Sequence, residues 1–480
     1  MNPTVPSRLL FAAPLALLLA ACAANPPEPA VTIALPASYA QAQGDWAPAQ
    51  ALAATPRGAW WSVFDDPVLA GLENQVAQHN QSLAAQLAAY EQAQAAVAQA
   101  QAAYYPAVTA GAAASRARTA GSGAVGNNLS VSLGASWEPD LWGRVRLQVQ
   151  AGQATAAASA ATLANTQLSL QATLASSYLQ LRTVDAQIRL ARDTVAAYER
   201  ALQLTENRYK AGVDTAADVA QARTQLLQAQ TSLTDLGVTR AQLQNAIAVL
   251  VGQAPAAFTL PDTGVLPAVP DIPAGIPAQL LQRRPDLAAA QAQVAAANAQ
   301  IGVAQTAWFP NLTLSAQGGS QAGQLAGLFS APSLFWSLGP QLAATLFDGG
   351  LRRAQVESSK AAYRQTVATY RQSVLTALQQ VENNLAAQRI LAQEAQQQAA
   401  VVEAAEVSLR LAQNQYKAGT APYLNVITAQ TTLTSARNAQ LTLLNRRYAA
   451  SVALIQALGG GWGEDDRPAI GPLPGASAAR

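Results

Sequence analysis

Cysteine, histidine and lysine are nearly missing from this chain, and the shortages remove whole classes of chemistry. Its 480 residues include one cysteine, Cys22, and one histidine, His79. A disulfide framework is impossible, and so is a Cys/His metal site built from one chain. Nor can a Ser-His-Asp or Cys-His catalytic set be assembled. His79 lies in the polar run Gln78-His79-Asn80-Gln81 and reads as a solvated surface residue. No glycine-rich phosphate loop occurs. The chain is read as a non-enzyme with no cofactor and no metal. Charged residues make up only 12% and the net charge is +2, so nothing electrostatic favours nucleic acid.

What is abundant is alanine, with glutamine and leucine, a mixture that suits long helices packed at close range. One stretch occurs twice: Asn207-Arg208-Tyr209-Lys210-Ala211-Gly212-Val213-Asp214 returns as Asn414-Gln415-Tyr416-Lys417-Ala418-Gly419-Thr420-Ala421. Each copy reads as the turn between two antiparallel helices, with glycine taking the left-handed conformation that a helix end commonly needs. The next helix restarts with Thr215 as N-cap and Asp218 completing a capping-box-like pair. In the second copy Pro422 falls in the first turn, where its missing N–H is harmless. Two of the chain's three lysines, Lys210 and Lys417, hold the same place in the two copies, which points to a duplicated unit.

Residues 1–21 form a secretion signal whose apolar run, Leu9 to Leu19, is too short for a permanent membrane helix. Leu19-Ala20-Ala21-Cys22 resembles the lipobox of bacterial lipoproteins, which implies a covalent lipid on Cys22. Ordinary signal cleavage a few residues later is the alternative. Residues 22–58 carry six prolines without apolar period and are expected to form an extended tether. The first structural repeat is assigned to 59–251, an equatorial connector to 252–282, the second repeat to 283–458, and an equatorial tail to 459–480.

Within the first repeat a helix is expected from about Val68 to Ala103, broken at Tyr104-Tyr105-Pro106. Ala107–Arg118 and Leu129–Trp137 follow as a hairpin, since Leu129, Val131 and Leu133 alternate with small or polar residues. The pattern recurs after Trp308-Phe309-Pro310, with strands at Asn311–Gln317 and Leu334–Leu346. Trp137, Trp142, Trp308 and Trp336, half of the eight tryptophans, mark the strand ends, as the interfaces of a membrane β-barrel require. A soluble hairpin with aromatic ends is the competing interpretation. Long helices are predicted at Val145–Tyr209, Ala216–Leu250, Arg353–Tyr416 and Tyr423–Leu458, with Pro285–Ala307 stacking on the last. Leu163, Leu170, Leu174, Leu181, Val184 and Ile188 fall at heptad-like steps, a coiled-coil seam.

The fold class is therefore an α+β membrane protein with four transmembrane strands and four helical rods per chain. A four-stranded sheet leaves two unpaired edges that lipid cannot satisfy. Three copies would close a 12-stranded β-barrel continuous with a 12-helix periplasmic α-barrel.

From Trp60 to about Gly460 the chain resembles the TolC/OprM outer-membrane factor family, in its lipidated NodT-like branch. The matching residues are Trp60-Trp61, Phe64 and Asp66-Pro67; Trp137-Glu138-Pro139-Asp140-Leu141-Trp142-Gly143-Arg144; Arg283-Arg284-Pro285-Asp286; Ile301-Gly302-Val303-Ala304; Leu346-Phe347-Asp348-Gly349; and both Tyr-Lys-Ala-Gly turns. The resemblance implies a homotrimeric, passive exit duct in the outer membrane. Its partners would be a periplasmic adaptor (membrane fusion) protein and a proton-driven inner-membrane RND pump. Gly212, Val213, Asp214, Gly419, Thr420 and Ala421 would meet the adaptor. Leu424, Asn425 and Thr428 would line the closed aperture, where relatives often carry aspartates and this chain has none. Asp218 would hydrogen-bond Tyr416 as a latch, with the cap for Asp218 and a packed seam for Tyr416 as alternatives. A protein-secretion conduit of type I-like systems and a coiled-coil envelope tether without a lumen are the other readings.

Overall fold

The computed structural model describes residues 35–36, 38–41, 59–118, 125–272 and 283–461. Cys22, the signal segment, most of the tether, part of the connector and nearly all of the tail lie outside the described residues. In order, the elements are α1 (Pro67–His79), α2 (Gln81–Ala102), β1 (Ala107–Arg118), β2 (Val125–Trp137), α3 (Arg144–Lys210) and α4 (Ala216–Leu250). The second half follows as α5 (Pro285–Thr306), β3 (Asn311–Ala322), β4 (Leu334–Ala343), α6 (Leu351–Lys417) and α7 (Tyr423–Ala457).

The two halves match in length: α2 and α5 have 22 residues each, α3 and α6 have 67, and α4 and α7 have 35. The 67-residue helices rise about 100 Å, and a 35-residue helix only about 50 Å. The shorter helices make up most of the difference by end-to-end stacking. Asn80 Nδ2 donates to the Leu250 carbonyl at 2.8 Å, and Arg284 Nη1 donates to the Ala457 carbonyl at 3.0 Å. Each satisfies a terminal carbonyl that would otherwise lack a partner. The chain leaves each junction through a glycine in the left-handed region, Gly252 (φ 73°) and Gly459 (φ 93°). A Cβ there would lie 2.3 Å from the His79 carbonyl oxygen or 2.1 Å from that of Arg283.

The expected single first helix is two. Asn80 ends α1 in extended backbone, and its Oδ1 accepts from Leu83 N at 3.0 Å to start α2. Asn80 thus caps one helix and anchors the return helix at once, which no proline or glycine announces. Asp66 caps α1 by accepting from Val68 N and Leu69 N. Asp140 accepts from Val145 N and Arg146 N, and Asp348 from Gly350 N and Arg352 N, where the long helices begin.

The four strands form one antiparallel sheet in the order β1-β2-β3-β4, so the β2–β3 pairing welds the two halves together. β2 starts at Val125, four residues before the expected Leu129, because Gly126, Asn127 and Asn128 hide the alternation. β3 runs on to Ala322 through Gly318 and Gly319, and β4 stops at Ala343 rather than Leu346.

The helical core is densest at the waist, where α3 buries Leu174, Tyr178, Leu179 and Leu181 against Leu69, Ile247, Leu385 and Tyr448. Of the predicted seam, Leu174, Leu181, Val184 and Ile188 are buried, and Leu163 and Leu170 half-buried. Arg182 and Asp185 are buried together; Arg240 Nε reaches Asp185 at 2.7 Å, and Arg182 Nη1 donates to the Pro261 carbonyl at 2.7 Å. The connector is thus pinned to the waist by charge-assisted bonds. The tether is held there too: Ala40 N and Gln41 N both donate to the Glu382 carboxylate, at 2.7 and 2.9 Å.

Among the described residues, several buried polar atoms lack a hydrogen-bond partner, and Glu73 is the case in which a whole carboxyl does. Glu73 on α1 is fully buried, neither carboxyl oxygen has a hydrogen-bond partner, and burial pushes its pKa up to about 9. A carboxyl raised in the folded state penalises folding above its unfolded value. The penalty grows from about pH 4.5 to about pH 9. Near neutral pH it amounts to roughly 3 kcal/mol. Glu73→Leu is expected to raise the thermal unfolding midpoint in detergent more at pH 8 than at pH 5; an equal gain at both would contradict this.

Candidate functional site: the hairpin tips and the sheet wall

At the far end of the long helices the two repeated turns fold alike. Gly212 (φ 75°) and Gly419 (φ 73°) take the left-handed conformation. Val213 N donates to the Arg208 carbonyl at 2.9 Å, and Thr420 N to that of Gln415 at 3.0 Å, the backbone closure of a Schellman-type helix end. Gly212, Val213, Gly419 and Thr420 are exposed at the tips, and Ala421 is half-buried.

Asp214 is different. Its side chain is only 9% exposed, because Arg208 Nε reaches both carboxylate oxygens at 3.1 Å and Tyr416 OH donates to Oδ2 at 2.7 Å. Its carboxylate is turned inward, not offered to a partner at the tip. The hydrogen bond expected between Asp218 and Tyr416 is made by Asp214 instead. Asp218 lies in a capping box: its Oδ2 accepts from Thr215 N (2.9 Å) and Thr215 Oγ1 (2.7 Å), while Asp218 N donates back to Oγ1. Those bonds hold its pKa below the usual carboxylate value.

Around the latch the Arg208 guanidinium lies 4.6 Å over the Tyr416 ring, and Tyr416 packs on Tyr423 with centroids 5.3 Å apart. Burial first, then the bond to Asp214, pushes the Tyr416 phenol up to about 12. It stays protonated and remains a donor. Sequence reasoning missed Arg208, Asp214 and Tyr423 as one cluster. The available signal was the pairing of opposite charges on either side of a tight turn, Arg208 and Asp214.

Helix α7 buries Tyr423, Val426, Ile427 and Ala429 in the tip core. Its exposed side carries Leu424 (59% exposed), Asn425 and Thr428, followed by Thr431, Thr432 and Ser435. Thr428 Oγ1 donates to the Leu424 carbonyl at 2.9 Å. This run contains no carboxylate, and the next charge, Arg437, is paired with Glu406 at 2.7 Å.

At the other end of the molecule, register sorts the sheet into two unlike faces. Ala110, Leu133, Gly318 and Trp336 stand in one cross-strand row, and Ala112 with Val131 and Ala316 with Leu338 continue the same side. That face is apolar and exposed, with Leu133 at 61%, Trp336 at 83% and Leu338 at 76%. The opposite face presents Thr109, Ser115, Ser130, Ser132, Ser136, Thr313, Ser315, Gln317, Ser337 and Gln341, with no charged residue. Trp137, Trp142 and Trp308 gather at the helix end of the sheet. Trp137 Nε1 donates to the Tyr104 carbonyl and Trp142 Nε1 to that of Pro310, and Arg352 covers the Trp308 ring at 4.7 Å. Trp336 stands near the distal start of β4, on the apolar face.

A sheet with one apolar and one polar face, its strands 10 to 13 residues long and rooted on helices of about 100 Å, is the make-up of a subunit of an outer-membrane channel that extends into the periplasm. The chain belongs to the outer membrane efflux protein family, whose model matches residues 72–253 and 276–460. It is 32% identical to the antibiotic efflux pump outer membrane protein ArpC of Pseudomonas putida, over 95% of this chain and 96% of that protein. It is 33% identical to the pyoverdine export outer membrane protein OpmQ of Pseudomonas putida, over 96% and 99%. Among solved structures it superposes on the outer-membrane channel OprN with a TM-score of 0.84 at 29% identity, over 92% of this chain and 99% of that one. The protein is the outer-membrane channel component of an efflux system.

If the tip is held shut through Asp214, then Asp214→Ala with Tyr416→Phe raises the conductance of the closed channel in planar bilayers. Asp218→Ala alone leaves conductance unchanged and costs the α4 N-terminus about 1 kcal/mol. The reverse pattern would restore the Asp218 latch.

Proposed function

We propose that three copies close their sheets into one 12-stranded barrel above a 12-rod α-barrel, forming the passive exit duct of a tripartite RND-type efflux system for drugs or other small solutes. The observation that carries this is the sheet itself, which ends in two unpaired edges, β1 and β4. Lipid offers those backbone groups no partner. Two copies would give eight strands, whose interior side chains fill. Three is the smallest number that leaves an aqueous lumen. The tips Gly212, Val213, Gly419, Thr420 and Ala421 then receive the periplasmic adaptor, and an inner-membrane pump supplies the energy. The antibiotic and pyoverdine named for the relatives support a small-solute cargo.

The lipid on Cys22 belongs to the same proposal. Leu35 packs against the cluster that Leu287 and Val294 of α5 form with Tyr370, Val374 and Ala377 of α6. Extended chain from Cys22 to Leu35 reaches about 45 Å, more than the rise of about 33 Å along α5. An acyl anchor can therefore sit in the inner leaflet while Tyr39–Gln41 stays at the waist.

In this arrangement Leu424, Asn425 and Thr428 ring the closed aperture without a carboxylate. Purified protein is expected to conduct in planar bilayers with a reversal potential near zero across a salt gradient. Strong cation selectivity would contradict the neutral ring, and absence of conductance would contradict the duct.

A further inference from the structure

The wall strands and the loops joining them, residues 107–137 and 311–347, contain two charged residues, Arg116 and Arg118. Neither of those segments includes an aspartate or glutamate. Both arginines are exposed and lie at the end of β1 remote from the helices.

Their side of the sheet follows from register. Ala110, Ala112 and Ala114 pair with Leu133, Val131 and Leu129 on the apolar face. Side chains alternate along a strand, so Arg116 opposite Asn127 and Arg118 opposite Val125 continue that face. They point toward lipid, not into the lumen.

Height fixes what they meet. Val108 stands on the same face beside the helix-end tryptophans, eight and ten positions before the two arginines. At about 3.3 Å per residue and a tilt near 40°, the guanidinium groups are rooted about 20 to 25 Å farther out. The apolar band of such a barrel is about 25 Å tall. The arginines thus fall at its outer margin, and their stems can lie over the small side chains of Ala112 and Ala114 while the charged ends reach the headgroups. A guanidinium there presents a planar donor fork suited to phosphate oxygens.

We propose that Arg116 and Arg118 form a lipid-binding site on the outer rim, taking the phosphate of an outer-leaflet glycolipid. The proposal rests on the sheet being a barrel wall. It identifies the ligand as a membrane lipid, because the two charges continue an apolar face on which acyl chains pack.

Detergent-purified trimer and diphosphoryl lipid A provide the test, with binding followed by native mass spectrometry. Wild type should retain diphosphoryl lipid A, and enzymatically dephosphorylated lipid A should bind about thirtyfold more weakly, the loss expected for two surface arginines. The Arg116→Gln, Arg118→Gln variant should lose a similar factor while keeping its trimer mass and bilayer conductance. The double Lys variant, which retains the charge, should recover part of it. Equal retention of phosphorylated and dephosphorylated lipid by wild type would overturn the proposal, and that comparison needs no variant. Displacement by millimolar inorganic phosphate would overturn the lipid assignment in favour of a free-anion site. Loss of the trimer in wild type would instead contradict the barrel.

Discussion

Unpaired backbone on the outer edges of β1 and β4 is the constraint from which the architecture follows. In water such edges are a liability; in hydrocarbon they are forbidden. The protomer satisfies every internal ladder, β1 to β2, β2 to β3 and β3 to β4, and is left with one edge on each side. In the proposed trimer the remedy comes from the next copy, whose complementary edge symmetry supplies. The sheet's one polar and one apolar face accord with that proposed closure.

Duplication gives the same logic to the helices. Each half builds a 67-residue helix and a broken rod of nearly the same length, and each break is sealed by a side chain, Asn80 or Arg284, bonded to the last turn of the return helix. Rods of matched length let the tips end together. There the halves meet through unlike residues, Arg208 and Asp214 from the first turn against Tyr416 from the second. In the proposed duct, such a charge-assisted bond is strong enough to hold a closed state and local enough for an adaptor to release.

Much of this was legible in the residues. Helices declared themselves by long stretches free of proline, the repeat by its paired lysines and glycines, and the hairpins by alternation at Leu129, Val131 and Leu133. The family followed from motifs such as Trp137–Arg144. Signals failed where one residue serves two elements or where glycine removes contrast. Asn80 breaks a helix with no breaker residue nearby, and Gly318 and Gly319 carry β3 past the point where alternation fades. Asp218 carries two readings, latch and cap, and the capping box with Thr215 is the one that holds, occupying its carboxylate. Asp214, four residues earlier, could be found only by knowing that Tyr416 lies beside it across 202 residues of chain. Glu73, too, reads as one more polar helix residue until its burial is seen.

The central claim is that β1 of one copy pairs with β4 of the next. Disulfide cross-linking tests it most directly, with Ala113→Cys on β1 combined in turn with Ser337→Cys, Gly339→Cys and Gln341→Cys on β4. At the matching register, oxidised membranes should yield a ladder of one, two and three linked chains with nothing larger. Monomer alone at every pairing, or a ladder continuing past three, would contradict the closed trimer.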